Sequence, residues 1–321
     1  MANKGIKVYY RNMRRPVEWF LIWLGQRIIP PLSLDALLRL SRWIGDTAYT
    51  VDCRGKAVAA ANLRVMFGTR MTPARERALV RRSYRNMARV LANIFWMSRD
   101  TLARVHDQVA FAPAVLDALR THRPAITVSA HFGNWEILSQ AAVANGIPMM
   151  SVAKLIGSPE MTDRLTALRS TIGQQIVPAE GALRHLLYAL KHGTSIGLLI
   201  DQHTHVWEGG AWVNLFGVPA GVSLAPAALS RKLRVPIIFA WSRPLKDGRY
   251  RIEPGAVFLP DPALDDQART QQLVAAFERV IRQHPSLWCL NYRRWKYIRP
   301  EDDRTLYPFY ARPSRRANTG E

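Results

Sequence analysis

Short, mostly apolar runs alternate with helical segments along much of this chain of 321 residues. In three of the runs, Ala125–Ser129, Ser195–Asp201 and Pro236–Ser242, apolar residues follow one another instead of occupying every second position. Such continuous runs are typical of strands that are covered on both faces. Because helical segments separate the runs, the strands are expected to be parallel neighbours. The sequence therefore predicts an α/β fold with a mostly parallel central sheet covered by helices.

The same alternation predicts the remaining elements. Thr72 is a suitable N-cap before Pro73, so a long basic helix is expected to begin there and to run to Trp96. We predict further strands at 148–153 and 175–177, a last pair of strands at about 249–252 and 257–259, and helices at about 134–144, 160–171, 180–191, 223–232 and 262–282. The Gly- and Trp-rich segment after Asp201 is expected to form a loop.

Charge restricts the partners of the folded chain. Lys and Arg number 45 against 24 Asp and Glu, which gives a formal net charge of +21. Anionic partners are expected, and they include nucleic acid, an anionic membrane surface and an acidic soluble protein. Since no recognised nucleic-acid module is present, we favour the bilayer and the acidic protein over nucleic acid. The only cysteines, Cys53 and Cys289, lie far apart, which suits a reducing compartment.

The N-terminal segment combines basic residues with a short apolar stretch, PVEWFLIWLGQRIIPPL. Its apolar core, Trp19–Leu24, is far shorter than the ~20 residues needed to span a bilayer. Trp19, Trp23 and Trp43 with their basic neighbours suit a segment that lies in the membrane interface. We therefore predict a membrane-associating helical segment over residues 1–50 and a larger domain over 51–321. A buried core helix is the alternative interpretation of the same pattern.

The stretch HFGNWE begins where the strand Ala125–Ser129 ends. Five residues of continuous helix would put His131 and Glu136 about 140° apart, so the two side chains can meet only across a turn. Gly133 and Asn134 are suited to form that turn and to leave Glu136 in the first turn of a helix. A carboxylate on one ring nitrogen would then leave the other nitrogen free as a general base. Alternatively, His131 is a structural histidine and Glu136 an ordinary acid at a helix start.

Four blocks in this order, HFGNWE, Asp201-Gln202, Gly217-Val-Pro-Ala and YRRWKYIRP, resemble the lipid A biosynthesis acyltransferases of the wider glycerolipid acyltransferase group. The resemblance implies transfer of an acyl chain from an acyl thioester, on acyl carrier protein or coenzyme A, to a hydroxyl of a membrane glycolipid. It implies neither metal nor cofactor nor acyl-enzyme. It makes His131 the general base and Glu136 its orienting partner, in an enzyme on the cytoplasmic face of the bacterial inner membrane. The domain over 51–321 would be the acyltransferase domain.

Several further residues are candidates for substrate binding. The resemblance implies an arginine some tens of residues after the histidine, for which Arg169 is the nearest match and Arg164 the second. Asn134 and the amide of Gly133 are candidate oxyanion donors, although Asn134 could simply cap a helix. Asp201 is a candidate because it ends a strand at the expected site edge. Arg293 and Arg294 are interpreted as a basic edge that faces phosphate, with solvated surface as the alternative for all the arginines.

Three other functions remain open. Asp201, His203 and His205 could form a metal site of a hydrolase, although no fourth ligand is apparent. Gly221-Val-Ser-Leu-Ala approximates the nucleophile elbow of a serine hydrolase, but Ser223 is better explained as a helix cap. The acceptor could also be another glycolipid or a lysophospholipid. His203 and His205 have no assigned role in the acyltransferase hypothesis.

Overall fold

The computed structural model describes residues 18–154 and 157–314. Eleven helices are present in that part of the chain: α1 (18–28), α2 (Leu34–Val51), α3 (Cys53–Phe67), α4 (Pro73–Trp96), α5 (Thr101–Gln108), α6 (Pro113–Thr121), α7 (Glu136–Ala144), α8 (Pro159–Arg169), α9 (Ala182–Lys191), α10 (Ala225–Leu233) and α11 (Asp266–Gln283). The predicted start of α4 is confirmed, because the side chain of Thr72 accepts from the amide of Arg75.

The strands are β1 (Val109–Phe111), β2 (Ile126–Ser129), β3 (Met149–Ala153), β4 (Gln175–Pro178), β5 (Ser195–Leu199), β6 (Gly210–Leu215), β7 (Val218–Ser223), β8 (Ile237–Pro244), β9 (Tyr250–Phe258), β10 (Tyr297–Ile298) and β11 (Arg312–Pro313). Seven of them form the central sheet in the order β1-β9-β8-β2-β5-β3-β4. Every neighbouring pair in this sheet is parallel except β8 and β9. The predicted α/β fold with a mostly parallel sheet is confirmed.

Two apolar cores lie on the two faces of the sheet. Alternate residues of β8 point to opposite faces, so Phe239 packs in the core that includes α9, α10 and α11, and Ala240 packs in the core that includes α5, α6 and α7. Helices therefore cover both faces, which is the reason that the strands read as continuous apolar runs.

Two segments differ from the prediction. The expected loop after Asp201 contains an antiparallel hairpin of β6 and β7, closed by Phe216 and Gly217 with positive φ angles of 55° and 84°. The last pair of strands expected along the chain, at 249–252 and 257–259, is the single strand β9, whose pairing with β8 shifts register between Phe239 and Ala240. A Cβ at Gly255 would lie 2.1 Å from the ring of Phe239, so this glycine allows close contact within β9 and does not form a turn.

The N-terminal helices pack against α4. A Cβ at Gly45 of α2 would lie 2.5 Å from the Cα of Arg85, and the indole of Trp96 donates to the carbonyl of Leu32 at 2.8 Å. Phe20 and Trp23 of α1 are nevertheless more than half exposed. Residues 1–17 of the expected membrane-associating segment lie outside the described residues, and the boundary at residue 50 stays a prediction. Within residues 18–154 and 157–314, every helix is too short or too polar to cross a bilayer.

Candidate active site

His131 lies directly beyond β2 at the carboxyl edge of the sheet, and Asp201 lies directly beyond β5. Because β2 and β5 are neighbours, with Ser129 paired to Leu199, the two side chains meet. Nδ1 of His131 lies 2.7 Å from Oδ1 of Asp201, and the backbone amide of His131 donates to the same oxygen at 3.0 Å. The carboxylate therefore fixes both the ring and the backbone of His131.

The second oxygen of Asp201 is held just as firmly. Oδ2 accepts from the indole of Trp288 at 2.9 Å and from the guanidinium of Arg294 at 2.7 Å. Both partners are fully buried, and the guanidinium stacks 3.7 Å above the ring of Trp288. Burial raises the pKa of Asp201, but the charges and hydrogen bonds of His131 and Arg294 outweigh burial and hold that pKa below its ordinary value. Asp201 is consequently an anion over the whole ordinary pH range.

This arrangement decides the tautomer of His131. An ionised carboxylate only accepts hydrogen bonds, so Nδ1 carries the ring proton and Nε2 presents a lone pair. The carboxamide nitrogen of Gln202 lies 3.1 Å from Nε2, which makes Gln202 the donor to that lone pair. The indole of Trp135 packs beside the ring at a centroid distance of 5.0 Å. His131 is thus oriented as a base, and its accepting nitrogen, Nε2, is covered by the side chain of Gln202.

The expectation that Glu136 orients His131 is wrong. Gly133 does form the expected turn, at φ 62°, and Glu136 does begin α7. Its carboxylate, however, forms a two-point ion pair with Arg169, at 2.6 Å to Nε and 2.9 Å to Nη2. Asp201 reaches the imidazole from the neighbouring strand, whereas Arg169, at the end of α8, holds both oxygens of Glu136.

The two expected oxyanion donors are both occupied or enclosed. The amide of Gly133 donates to the carbonyl of Leu287 at 2.9 Å. Asn134 is fully buried, and its backbone N–H and C=O both bond to the hydroxyl of Ser242, at 2.6 and 2.9 Å. A Cβ at Gly133 would lie 1.9 Å from the carbonyl oxygen of Ser242, so the turn is pressed onto β8. Gly133 and Asn134 shape the loop but are not positioned to bind an oxyanion.

The candidate substrate-binding residues divide into three groups. Arg169 lines a cavity beside His131, and its role in substrate binding stays a prediction. Arg164 instead stacks 4.8 Å above the ring of Trp19 on α1, and Arg293 is exposed on the surface. Arg294 and Asp201 are buried against each other, so Arg294 does not face a substrate phosphate as expected, and both oxygens of Asp201 are engaged with protein groups and not with a substrate. The YRRW block therefore supplies one surface arginine and one internal arginine that supports Asp201.

The cavity has a volume of about 920 Å³ and includes His131, Trp135, Glu136, Arg169 and Gln202 in its lining. On the α7 side of the sheet it continues into an inner lobe, lined by Val115, Leu119, Leu138, Ala142, Met149 and Ile252. On the opposite side it continues into an outer groove between α9 and α10, lined by Leu183, Leu186, Leu187, Ala225, Ala228 and Leu229. The base thus lies where two apolar spaces meet.

The hydrolase alternatives find little support in this geometry. Ser223 does end a strand, but its hydroxyl accepts from the amide of Ala225, and the described residues show no hydrogen bond between Ser223 and a histidine. Asp201 points to His131, whereas Nε2 of His203 lies 3.3 Å from Nδ1 of His205. Among residues 18–154 and 157–314, no group of three or more His, Cys, Asp or Glu is arranged to hold a metal ion.

No role in the site was predicted from the sequence for three important residues, Trp288, Ser242 and Gln202. Trp288 and Ser242 belong to distant segments that fold back onto the HFGNWE loop, where Cys289 also donates its amide to the carbonyl of His131. Gln202 follows Asp201 directly, and its place beside a strand end was the available clue. The same rule places His131 and Asp201 at one edge of the sheet, but it does not show that their two strands are neighbours.

Comparison with known proteins identifies relatives of the chain. Residues 7–297 match the sequence profile of the family described as bacterial lipid A biosynthesis acyltransferase. This match extends over nearly the whole chain and includes His131, Glu136, Arg169 and Asp201.

Two similar proteins come from Mycobacterium tuberculosis, and each is named phosphatidylinositol mannoside acyltransferase. The protein of strain CDC 1551 / Oshkosh is 25% identical over 225 residues, which are 66% of this chain and 68% of that protein. The protein of strain ATCC 25618 / H37Rv is 26% identical over 206 residues, which are 60% of this chain and 62% of that protein.

Proposed function

The chain belongs to the bacterial lipid A biosynthesis acyltransferase family, and we propose that it transfers a fatty acyl chain from acyl carrier protein to a hydroxyl of a lipid A precursor or a related membrane glycolipid. Family membership makes the chain an acyltransferase; the donor and the acceptor are the proposed part. The names of the mycobacterial relatives support a glycolipid acceptor. The observation that carries the proposal is the His131–Asp201 pair, whose accepting nitrogen faces a cavity with two apolar extensions.

The chemical step needs a base and an activated acyl donor. The acceptor hydroxyl takes the place of the Gln202 carboxamide at Nε2 of His131 and gives its proton to that nitrogen. Its oxygen forms a bond to the thioester carbonyl carbon, and the carbon–sulfur bond then breaks. The imidazolium, stabilised by the Asp201 carboxylate, returns the proton to the departing sulfur. The bonds and the proton of this acyl transfer are all accounted for without a metal, a cofactor or a covalent acyl-enzyme.

The ion pair of Glu136 and Arg169 has a different role in this mechanism. It lines the cavity close to the base, and the side chains of both residues are mostly buried, with exposures of 18% and 11%. Because the carboxylate fixes the guanidinium in a two-point contact, the remaining N–H groups of Arg169 point in set directions. We assign Arg169 to binding the polar part of a substrate and Glu136 to holding Arg169 in place.

The inner lobe is suited to the acyl chain of the donor. It crosses the strands beneath α7, past Gly197 on β5, Thr127 on β2, Ala240 on β8, Ile252 on β9 and Phe111 on β1. Four gaps between neighbouring strands span about 19 Å. An extended chain advances roughly 1.25 Å per carbon, given a C–C bond of about 1.52 Å, so about 15 carbons fit. The small residues Gly197 and Ala240 leave room for the chain against the sheet.

Charge and exposed apolar residues support the proposed partners and location. The formal net charge of +21 suits an acidic carrier protein, the phosphates of a glycolipid and an anionic membrane surface, and it needs no nucleic acid. Phe20, Leu21 and Trp23 on α1 are more than half exposed and suit contact with lipid. Cys53 and Cys289 are both free thiols, which suits the reducing conditions of a cytoplasmic face. We propose a peripheral or monotopic enzyme on the cytoplasmic face of the bacterial inner membrane.

A direct assay tests this function. Purified protein is incubated with palmitoyl-acyl carrier protein or palmitoyl-coenzyme A and, separately, with a lipid A precursor or phosphatidylinositol mannoside. Mass spectrometry of the lipids is expected to show one added acyl group, with acyl carrier protein as the better donor. His131→Ala is the matched control and is expected to add none. Absence of any acylated glycolipid, or equal product with His131→Ala, would contradict the proposal.

A further inference from the structure

The outer groove is separated from the inner lobe by the central sheet. Val128 and Leu198 line the cavity and pack in the core that contains Leu186 of α9. Met149 and Ala142, which line the inner lobe, belong to the core on the other face. His131, which lies beyond the carboxyl ends of the strands, lines the same cavity as both spaces. A chain that fills one of them therefore leaves the other open.

The two spaces differ in their access to solvent. Residues of the inner lobe are enclosed, with Leu119 and Met149 both 3% exposed and Ile252 1% exposed. The outer groove has a buried floor, with Leu186 3% and Leu229 2% exposed, but an open edge, because Leu183 is 57% exposed and Leu187 and Ala228 are only half-buried. An open apolar groove suits a chain that enters sideways from a lipid surface, whereas an enclosed lobe suits a chain that is inserted end first.

The polar groups around the outer groove fit a lipid. Lys154 lines the cavity at the carboxyl end of β3, the edge of the sheet where His131 also lies. Lys232 lines it seven residues along α10 from Ala225, a distance of about 10 Å at 1.5 Å per residue. A cation near the base can bind an anionic head group, and the stem of Lys232 can cover the far end of a hydrocarbon chain.

We propose that the outer groove binds an acyl chain already carried by the acceptor lipid and thereby brings the acceptor's head group to His131. This inference rests on the proposed function, because it assumes that the inner lobe holds the chain of the donor. The acyl carrier's pantetheine arm is a weaker candidate for the groove, since its amides need hydrogen-bond partners that the leucines and alanines of α9 and α10 do not offer. The groove thus selects for an acceptor that is itself a lipid.

Photo-crosslinking tests the groove without depending on catalysis. The probe is phosphatidylinositol with a diazirine at mid-chain, presented in detergent micelles and irradiated with the full-length protein. Labelled peptides, mapped by mass spectrometry, are expected to come from α9 and α10, and excess palmitoyl-coenzyme A is expected to leave this labelling in place. Labelling confined to the peptide of α7, or loss of the α9 and α10 labels with palmitoyl-coenzyme A, would overturn the inference.

Matched variants sharpen the test. Ala228→Phe fills the outer groove and is expected to lower the α9 and α10 labelling at least tenfold. Ala142→Leu in the inner lobe and Ala114→Phe on the exposed side of α6 are expected to label as the native protein does. Thermal melting identifies any variant that fails to fold, and Ala228→Leu then replaces Ala228→Phe, with a smaller loss expected. Undiminished labelling in folded Ala228→Phe or Ala228→Leu would overturn the inference.

Steady-state kinetics of Ala228→Phe separate this inference from the proposed function. In Ala228→Phe, the KM for the lipid acceptor is expected to rise about tenfold or more, because apolar contact is lost, while the KM for the acyl donor stays unchanged. A rise in the KM for the donor alone would assign the groove to the donor and overturn the inference. Failure of the native protein to transfer acyl groups at all would reject the proposed function, while the crosslinking result would still decide whether the groove binds lipid.

Discussion

The carboxylate of Asp201 lies 2.7 Å from Nδ1 of His131 and binds the backbone amide of the same residue at 3.0 Å. Parallel strands β2 and β5 deliver the two residues from positions 70 residues apart in the chain. The conspicuous acid of the HFGNWE block, Glu136, is engaged with Arg169 instead. Asp201 therefore orients His131, whereas Glu136 holds Arg169, and each of these roles can be tested by substitution.

Asp201→Asn is expected to lower the rate of acyl transfer by about 10³-fold or more, the order seen when a base is held in the wrong tautomer. Trp288 and Arg294 are obligate donors to one side of residue 201, so the single oxygen of the new amide must face them. Its NH₂ group then faces Nδ1 of His131 and moves the ring proton to Nε2. Single-turnover transfer measures the loss, and circular dichroism confirms the fold. A rate within tenfold of native would contradict this role.

Glu136→Gln and Arg169→Gln are expected to act as one unit. Each change should raise the KM for one substrate, and the double variant should be little worse than either single one, because the ion pair fails as soon as one partner is lost. The pH dependence of kcat should stay close to native, since neither residue touches the imidazole. Steady-state kinetics of the three variants make the comparison. Additive losses would show that Glu136 and Arg169 act separately.

Gln202→Glu is expected to move the acidic limb of the pH–rate profile to higher pH. A carboxylate beside Nε2 stabilises the imidazolium, so the base loses its proton only in more alkaline solution. The other charged groups near this part of the site, Asp201, Glu136, Arg169, Lys154 and Glu208, are unchanged. Gln175→Glu, an exposed position with the same change in charge, should leave the profile in place. Identical profiles for both variants would mean that Gln202 does not contact the base.

His203 is expected to make stability depend on pH. Burial, followed by the charges of His205 and Lys296, lowers the pKa of His203 to about 4 from 6.5. The unfolded chain therefore binds a proton between pH 6.5 and 4 that the folded chain resists, so stability falls as the pH falls through this range. Since His203 is partly exposed, we expect its share of the loss to be about 1 kcal/mol.

Urea unfolding at pH 7 and pH 4.5 measures this share. His203→Gln should lose less stability than the native protein between the two pH values, because the substituted side chain does not titrate. The exposed His192→Gln is the control and should lose as much as the native protein. An equal loss in His203→Gln would contradict a role for His203.

Much of the fold could be predicted because covered parallel strands have a distinctive pattern. The runs that became β2, β5 and β8 are mostly apolar without alternation, and helix boundaries such as Thr72–Pro73 follow from capping chemistry. The hairpin of β6 and β7 escaped prediction because Gly217 and Gly221 favour a loop by local propensity. Its pairing depends on contacts across the turn, which no single segment reveals.

The site was predicted in part. His131 and the turn at Gly133 follow from residues adjacent in sequence, whereas the partner of His131 depends on which strands are neighbours in the sheet. Order along the chain does not give that order in space, because β3 and β4 lie between β2 and β5 in sequence and not in the sheet. The internal position of Arg294 could not be predicted for the same reason. Its partner, the buried carboxylate of Asp201, lies far away in the chain, and the YRRW block alone does not indicate it.

The central claim is that Asp201, and not Glu136, holds the ring proton of His131 on Nδ1. NMR of protein labelled with [¹⁵N]histidine measures this directly, since an Nδ1–H that donates to a carboxylate gives a strongly downfield proton resonance, which His131→Gln assigns. The account predicts that this resonance persists in Glu136→Gln and is lost in Asp201→Asn. Its loss in Glu136→Gln together with its persistence in Asp201→Asn would contradict the account.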